Sequence, residues 1–367
     1  MMNLKQYLSK VPDHQAVYTP ILYRLNQEQD HQAFLELLSQ NAHLQVTDEI
    51  LSQLKELIKI SNPTRKLSPE ETAGAVQQHL GNQPIETYGV WVYYPWSGRV
   101  VHIVDEAEFI ALRTSRNMHK ITLEEQKLLK SKKIGIIGLS VGQSVALTLA
   151  MERVCGELRL ADFDKVELTN MNRIRTGLHN IQVHKVVVVA REIAELDPFL
   201  RVKCYLDGAT EENLDDFFTN GGNLDMLVEE CDGVDIKILS RVKAKALKIP
   251  VVMDTNDRGM VDVERFDLEP DRPLLHGLIP EIDIKSLRHL TDAEKIPIFR
   301  PMLDMDKMSD RLKFSLGEIG KTITTWPQLA SSVVLGGAVV TDTCRRILLN
   351  QFSNSGRYYV DFEQLIV

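Results

Sequence analysis

Apolar and polar positions follow two different patterns along this chain. Near the N-terminus, DHQAFLELLSQNAHL and TDEILSQLKELIKI place apolar residues at helical spacing, and the two prolines of SNPTRKLSPEE precede another short helix. YGVWVYYPWSGRVVHIVD then contains two aromatic and β-branched runs joined by a Pro/Ser/Gly turn, which predicts a β-hairpin. Residues 1–105 are therefore predicted to form a small α+β domain of helices and a hairpin.

From residue 106 onward short buried runs alternate with longer segments of helical spacing. Two connecting helices are predicted in EAEFIALRTSRN and TLEEQKLLKSK. The predicted strands are Ile134–Ile137, Glu157–Ala161, Val202–Leu206, Met226–Glu229 and Val251–Met253, and the predicted helices are about Val141–Glu152, His184–Glu195, Glu211–Phe217 and Ile236–Leu247. This alternation predicts an α/β domain over residues 106–367, a Rossmann-like, mostly parallel sheet with helices on both faces.

The end of the chain has a less regular pattern. Residues 266–321 show no clear periodicity, WPQLASSVVLGGAVVTDTCRRILLN predicts a long, mostly apolar helix, and RYYVDFEQLIV predicts a last strand.

Composition narrows the function classes. The 367 residues are 44% hydrophobic and 26% charged, as in ordinary globular proteins, and the net charge of -8 argues against a nucleic-acid partner. The chain contains no signal-like apolar segment and no apolar run of about 20 residues, so we expect no membrane partner and a cytoplasmic location. Its four cysteines form no C-x-x-C pair, which excludes a zinc site built from such pairs.

A partial glycine fingerprint lies between the first strand of the α/β domain and the helix that follows it. Here Gly138, Ser140 and Gly142 can turn backbone N–H groups and a helix N-terminus toward an anion. Asp162 ends the next predicted strand, where a carboxylate can accept hydrogen bonds from a ribose hydroxyl. The order of these features predicts a nucleotide site.

Further polar residues extend that site. Asp164 and Asn170 follow the second strand, and Arg173 and Lys185 add the cations that phosphoryl or nucleotidyl transfer needs. Asp232 follows a third strand and can hold Mg²⁺ against nucleotide phosphates. The alternatives are solvated surface charges for Arg173 and Lys185, a solvated strand end or a helix cap for Asp162 and Asp164, and a cap on the next helix for Asp232.

These residues together resemble a known family. The string D-x-D-x-V-x-x-x-N-x-x-R, preceded by GLSVGQ and followed by Lys185 and Asp232, is similar to the adenylating domain shared by ThiF, MoeB and the ubiquitin-activating enzymes. The resemblance covers roughly residues 108–350. It implies ATP-dependent adenylation of a carboxylate, with Asp162 on the ribose, Arg173 and Lys185 on the phosphates, and Asp232 on Mg²⁺.

The resemblance also implies a homodimer. Family members place an arginine, just before the first strand, in the partner's ATP site, and Arg116 stands at that place with Arg113 as the alternative. The implied substrates are a carboxylate-bearing small molecule, a peptide or a carrier-protein C-terminus. On this view the N-terminal domain holds the substrate; the alternative is a dimerisation module.

Two departures from the family pattern change the expectation. Ser140, Val141 and Gln143 stand where glycines are usual. The loop GKTITTWPQLASS has no cysteine, and Cys344 falls inside the predicted helix, where burial makes a thiol a poor nucleophile. We therefore expect the acyl adenylate to form without an enzyme thioester.

Two other classes remain open. A strand, a glycine turn, a helix and Asp162 also match the dinucleotide fold of an NAD(P)-dependent oxidoreductase, although hydride transfer does not need the Asn/Arg/Lys cluster. The altered glycine turn is also compatible with a nucleotide-binding regulator that has lost catalysis.

Overall fold

The computed structural model describes residues 16–279, 291, 297–298, 300–302 and 304–366. The chain divides into two compact units, Met1–Thr122 and Leu123–Val367.

The first unit is built on a four-stranded sheet with the strand order β1-β3-β4-β2. Its elements are β1 (Ile21–Tyr23), α1 (Glu28–Gln40), β2 (Gln45–Asp48), α2 (Ile50–Ser61), α3 (Pro69–Leu80), β3 (Val90–Tyr94), β4 (Arg99–Ile103) and α4 (Glu106–Thr114). The predicted helices and the antiparallel β3–β4 hairpin are present. The sequence pattern did not indicate β1 and β2, because three and four residues are too few to show a period.

The second unit contains a seven-stranded sheet with the strand order β11-β10-β9-β8-β5-β6-β7. Its strands are β5 (Lys133–Ile137), β6 (Glu157–Ala161), β7 (Arg201–Tyr205), β8 (Met226–Glu229), β9 (Val251–Thr255), β10 (Met260–Glu264) and β11 (Gly356–Tyr359). Its helices are α5 (Leu123–Lys130), α6 (Gly142–Glu152), α7 (Lys185–Leu196), α8 (Leu214–Thr219), α9 (Val234–Ala246), α10 (Asp310–Leu316), α11 (Ala330–Leu348) and α12 (Phe362–Leu365).

Strands β5 to β9 are parallel, and β10 and β11 join them antiparallel. The predicted α/β fold class and all five predicted strands of the parallel part are confirmed. The parallel strands end at a common edge, where ligands of such sheets bind. Among the helices that the structure describes, none has the length and apolar character required to cross a bilayer.

Strand β10 was missed because its polar residues are buried. Asp262 and Glu264 alternate with apolar residues, as in a half-exposed segment, yet all five residues of β10 are buried. Arg357 on β11 donates to Asp262 over 2.6 Å, and Arg241 on α9 donates to Glu264 over 2.7 Å. These ion pairs satisfy the buried carboxylates and allow an antiparallel strand to sit inside the sheet.

Candidate active site

The turn after β5 needs glycine at its first position. Gly138 has a φ of 88°, and a Cβ atom there would lie 2.6 Å from the backbone oxygen of Glu230 and 2.7 Å from the backbone nitrogen of Cys231. The Gly138 N–H donates to the Ala161 carbonyl over 2.9 Å. The turn is thus packed directly between the ends of β6 and β8, and a side chain at this position would push them apart.

Asp162 holds the same turn from the end of β6. Its side chain is 8% exposed, and its two oxygens accept the backbone N–H groups of Leu139 over 2.7 Å and Asp164 over 2.8 Å. Burial raises the pKa of Asp162, while Lys185 and the two N–H donors act in the opposite direction. Asp162 therefore fixes the shape of the glycine turn, and a lone pair remains on each oxygen for a ligand.

Gln143 takes a role that a glycine could not fill. It lies in the first turn of α6, is 2% exposed, and donates through Nε2 to the Arg175 carbonyl over 2.9 Å and to Glu192 Oε2 over 2.8 Å. Its Oε1 accepts the Arg175 N–H over 2.8 Å. Gln143, which replaces a glycine of the family pattern, thus ties the polar segment after β6 to helices α6 and α7. Sequence reasoning missed this role because the partners are more than 30 positions away.

Arg173 lies against the glycine turn. Its Nε and Nη2 atoms donate to Ser140 Oγ over 3.1 and 2.9 Å, and Nη1 donates to Asn172 Oδ1 over 2.9 Å. Partial burial lowers the pKa of Arg173, and the nearby Asp232 carboxylate opposes that shift. The structure therefore brings the predicted cation, the turn and the predicted metal-binding carboxylate together.

The other predicted residues of this segment surround the turn. Lys185, at the start of α7, is buried and pairs with the exposed Asp164, with 2.7 Å between Nζ and Oδ2. Asn170 accepts the Glu167 N–H through Oδ1 over 3.0 Å and so shapes the chain between Asp164 and Arg173. Gly142 begins α6, and a Cβ there would lie 2.9 Å from Ile136 Cγ2. We call Gly138, Ser140, Gly142, Asp162, Asp164, Asn170, Arg173, Lys185 and Asp232 the cradle.

Asp232 follows β8 and is exposed. The alternative role as a helix cap is wrong, because Gly233 occupies the cap position of α9 and no side chain caps that end. Over the described residues, no three His, Cys, Asp or Glu side chains are arranged to hold a metal ion. A single carboxylate suits Mg²⁺ bound to nucleotide phosphates, because Mg²⁺ keeps several water and phosphate ligands.

A cavity of about 870 Å³ opens next to the cradle, shares Asp232 with it and is also lined by Val141 of the glycine turn. It lies at the ends of β8 and β9 and is bounded by the β9–β10 turn, by α10 and by the segment before α11. Trp326 and Leu335 belong to its apolar lining. This volume is in the range of small-molecule pockets and leaves room for a second substrate beside a nucleotide.

Arg116 lies in the first unit, where it is exposed in the 3₁₀ turn Ser115–Asn117. Its predicted role in a partner's site, and that of the alternative Arg113, stays a prediction. The roles of the individual cradle residues toward ATP also stay predictions.

A model of the ThiF family matches residues 114–363. The chain belongs to the ThiF family. The resemblance drawn from GLSVGQ, the D-x-D-x-V-x-x-x-N-x-x-R string, Lys185 and Asp232 is thereby confirmed.

Relatives of this ThiF-family chain include proteins of different length. An uncharacterized protein of Mycobacterium tuberculosis (strain CDC 1551 / Oshkosh), MT1398, is 40% identical over 348 residues, which are 95% of this chain and 46% of that protein. The chain thus spans about half of this relative. The tRNA threonylcarbamoyladenosine dehydratase of Bacillus subtilis (strain 168) is 25% identical over 244 residues, 64% of this chain and 95% of that enzyme. The solved structure of E. coli MccB with ATP is similar over 85% of this chain and 88% of the MccB chain, with 13% sequence identity and a TM-score of 0.49.

Proposed function

We propose that this ThiF-family chain is an ATP-dependent adenylyltransferase that activates a carboxylate as an acyl adenylate, with Mg²⁺ as the metal. The observation that carries the proposal is the position of Arg173, which bonds Ser140 in the glycine turn and lies within electrostatic range of Asp232. A guanidinium, a metal-binding carboxylate and a phosphate-binding turn converge there.

This arrangement suits attack on an α-phosphate. In adenylation a carboxylate oxygen bonds to the α-phosphorus while the bond to the pyrophosphate oxygen breaks, and negative charge builds on the phosphate oxygens. Arg173 and Lys185 supply cations for that charge, and Asp232 would hold Mg²⁺, which neutralises phosphate oxygens when bound. Asp162 offers its free lone pairs to the ribose. Both cations rest on neutral or anionic side chains in this structure, so a phosphate can replace those partners.

The cavity beside the cradle supports a separate carboxylate substrate. The proposed substrate is a small carboxylic acid, a peptide or the C-terminus of a carrier protein. An oxidoreductase is disfavoured, because hydride transfer does not use the cations that surround the turn. The acidic net charge of -8 still favours a substrate other than nucleic acid.

We further propose that no enzyme thioester forms. Cys344 is fully buried in α11, and burial raises its pKa. Burial also raises the pKa of Cys231, which lies at the cavity. A thiol held in its protonated form is a poor nucleophile. A covalent adduct discharged by added thiol after incubation with ATP and substrate would contradict this part.

The first experiment measures ATP and Mg²⁺ binding by calorimetry and, on the same preparation, ATP–pyrophosphate exchange with a library of short peptides and carboxylic acids. Arg173→Ala and Asp232→Ala should each lower exchange about 100-fold, since a lost transition-state charge contact costs about 3 kcal/mol. Arg201→Ala is the matched control, because that arginine is exposed on β7 at the outer edge of the sheet. Wild-type exchange in both cradle variants would refute the site.

Mixed dimers test the proposed cross-subunit arginine. Arg116→Ala and Asp232→Ala should each lose most of the exchange activity alone and should recover part of it when mixed, because one of the two sites in a mixed dimer has neither substitution. No recovery in dimers shown to be mixed would place Arg116 outside the partner's site.

A further inference from the structure

Two carboxyl groups meet at the ends of β8 and β9, and neither belongs to the cradle. The Asp254 N–H donates to Glu230 Oε1 over 3.0 Å. Asp254 is 6% exposed, and neither of its carboxylate oxygens has a hydrogen-bond partner. Both residues line the cavity.

Among the residues that the structure describes, no Lys or Arg side chain forms an ion pair with Glu230 or Asp254. Lys237 acts on both carboxyl groups electrostatically, but its Nζ bonds Glu229 Oε2 over 2.7 Å and is itself buried. Burial raises the pKa values of Glu230 and Asp254, and their mutual repulsion raises that of Glu230 further. The ionised pair is therefore under-compensated.

Helix α11 leaves space for the pair. A Cβ atom on Gly336 would lie 1.7 Å from Asp254 Oδ2, so any other residue at this position would displace the carboxylate. The glycine allows a charged group to sit against the helix backbone at the cavity wall. A well-packed apolar residue on β9 would serve stability better than an unpaired acid, which points to a role in binding.

The rest of the cavity lining is also acidic. Carboxylates outnumber Lys and Arg in its lining, and two of the cations are already engaged, Lys237 with Glu229 and Arg258 with Asp361. Apolar side chains that include Met253 and Met308 supply much of the remaining wall. A cationic molecule with an apolar body fits such a cavity, whereas a polyanion does not.

We propose that Glu230 and Asp254 bind an organic ammonium group, carried by a molecule whose apolar body occupies the cavity beside the cradle. This inference rests on the proposed adenylating function, in that the molecule is a substrate of the same active site. A metal ion in place of the ammonium would need a third oxygen or nitrogen ligand, and the described residues supply no such group of three.

The ammonium reaches the pair from one of two sources. It is carried by the carboxylate that is activated, as in an amino acid or peptide, or by the acceptor that resolves the adenylate. In the second case the amine, after losing a proton to the carboxylate pair, attacks the acyl carbon. An amide bond forms, the bond from the acyl carbon to the AMP oxygen breaks, AMP leaves, and the second proton lost by the nitrogen passes to the leaving phosphate or to water.

The first test is binding of n-hexylammonium chloride to the full chain by calorimetry without ATP, with n-hexanol and hexanoate as matched probes. Hexylammonium should bind at least tenfold tighter than hexanol, and Glu230→Gln or Asp254→Asn should remove that preference. Both substitutions keep the size of the side chain, and the amide oxygen introduced by Glu230→Gln can still accept the Asp254 N–H. Glu363→Gln, at an exposed position on the cavity rim, is the control and should keep the preference.

Equal affinity for hexylammonium and hexanol, or an unchanged preference in Asp254→Asn, would overturn the proposal.

Assays with ATP present show which molecule carries the ammonium group. If the activated acid carries the ammonium, 6-aminohexanoate should support pyrophosphate exchange and hexanoate should not. If the acceptor carries it, hexylamine should increase AMP release with hexanoate and yield the amide. If the wild-type protein binds ATP and Arg173→Ala does not, the proposed function stands even when no preference for hexylammonium is found. Failure of the ammonium proposal can thus be told apart from failure of the adenylation proposal.

Discussion

Replacement of Gly138 by alanine tests whether the glycine turn is held by contact with the end of β8. At a φ of 88°, a side chain costs about 1–2 kcal/mol in backbone strain. The new Cβ would also meet the Glu230 oxygen at 2.6 Å and the Cys231 nitrogen at 2.7 Å, both backbone atoms, and such overpacking costs about 1–3 kcal/mol more. We expect Gly138→Ala to lower the free energy of unfolding by about 2–5 kcal/mol.

Gly221→Ala is the matched control. Gly221 has a φ of 69°, and a Cβ there would meet nothing within 4 Å, so this variant carries the strain without the contact. Alanine also makes the unfolded chain less flexible, which raises the free energy of unfolding. This gain is the same in both variants and cancels when they are compared.

The assay is urea unfolding followed by circular dichroism, with the shift in midpoint read at unchanged m-value. Gly138→Ala should be less stable than Gly221→Ala by about 1–3 kcal/mol and should also lose ATP binding, since Asp232 follows the displaced strand end. Equal losses in the two variants would refute the argument that contact with β8 holds the turn.

Two further predictions concern the packing around the cradle. Burial raises the pKa of Glu192 to about 7, so the folded protein binds an extra proton there, and its stability should fall as pH rises from the ordinary Glu range through about 7. Glu192→Gln should flatten that fall in urea unfolding measured across this range, and an unchanged pH dependence would contradict the assignment. Gly337→Ala should cost about 1–3 kcal/mol, because its Cβ would lie 2.9 Å from the Ser144 backbone carbon where α11 packs on α6. The control is Gly74→Ala in helix α3, where a Cβ atom would meet nothing within 4 Å. Its free energy of unfolding should rise by about 0.5–1 kcal/mol in the same assay. Equal changes in the two variants would contradict the predicted contact between Gly337 and Ser144.

The sequence alone predicted those parts of the fold and of the site that depend on residues close together along the chain. Strands β5, β8 and β9 are mostly apolar runs, as expected for parallel strands covered on both faces. Strands β6 and β7 alternate charged and apolar residues, and all five strands were predicted. The positions of Asp162, Arg173 and Lys185 around the glycine turn were also predicted, because these residues lie close together along the chain in an order that follows from strand, turn and helix. The family was visible for the same reason.

Only the tertiary structure decided how distant segments complete the site. Gln143 braces Arg175 and Glu192, β10 buries two carboxylates against cations from other elements, and Glu230 meets Asp254 across two strands. In the sequence each of these residues looks like an ordinary polar position, because burial and partner are set by chain segments far away. A charge is informative about function only when its environment is known, since the same carboxylate is stable in water and costly when buried without a cation.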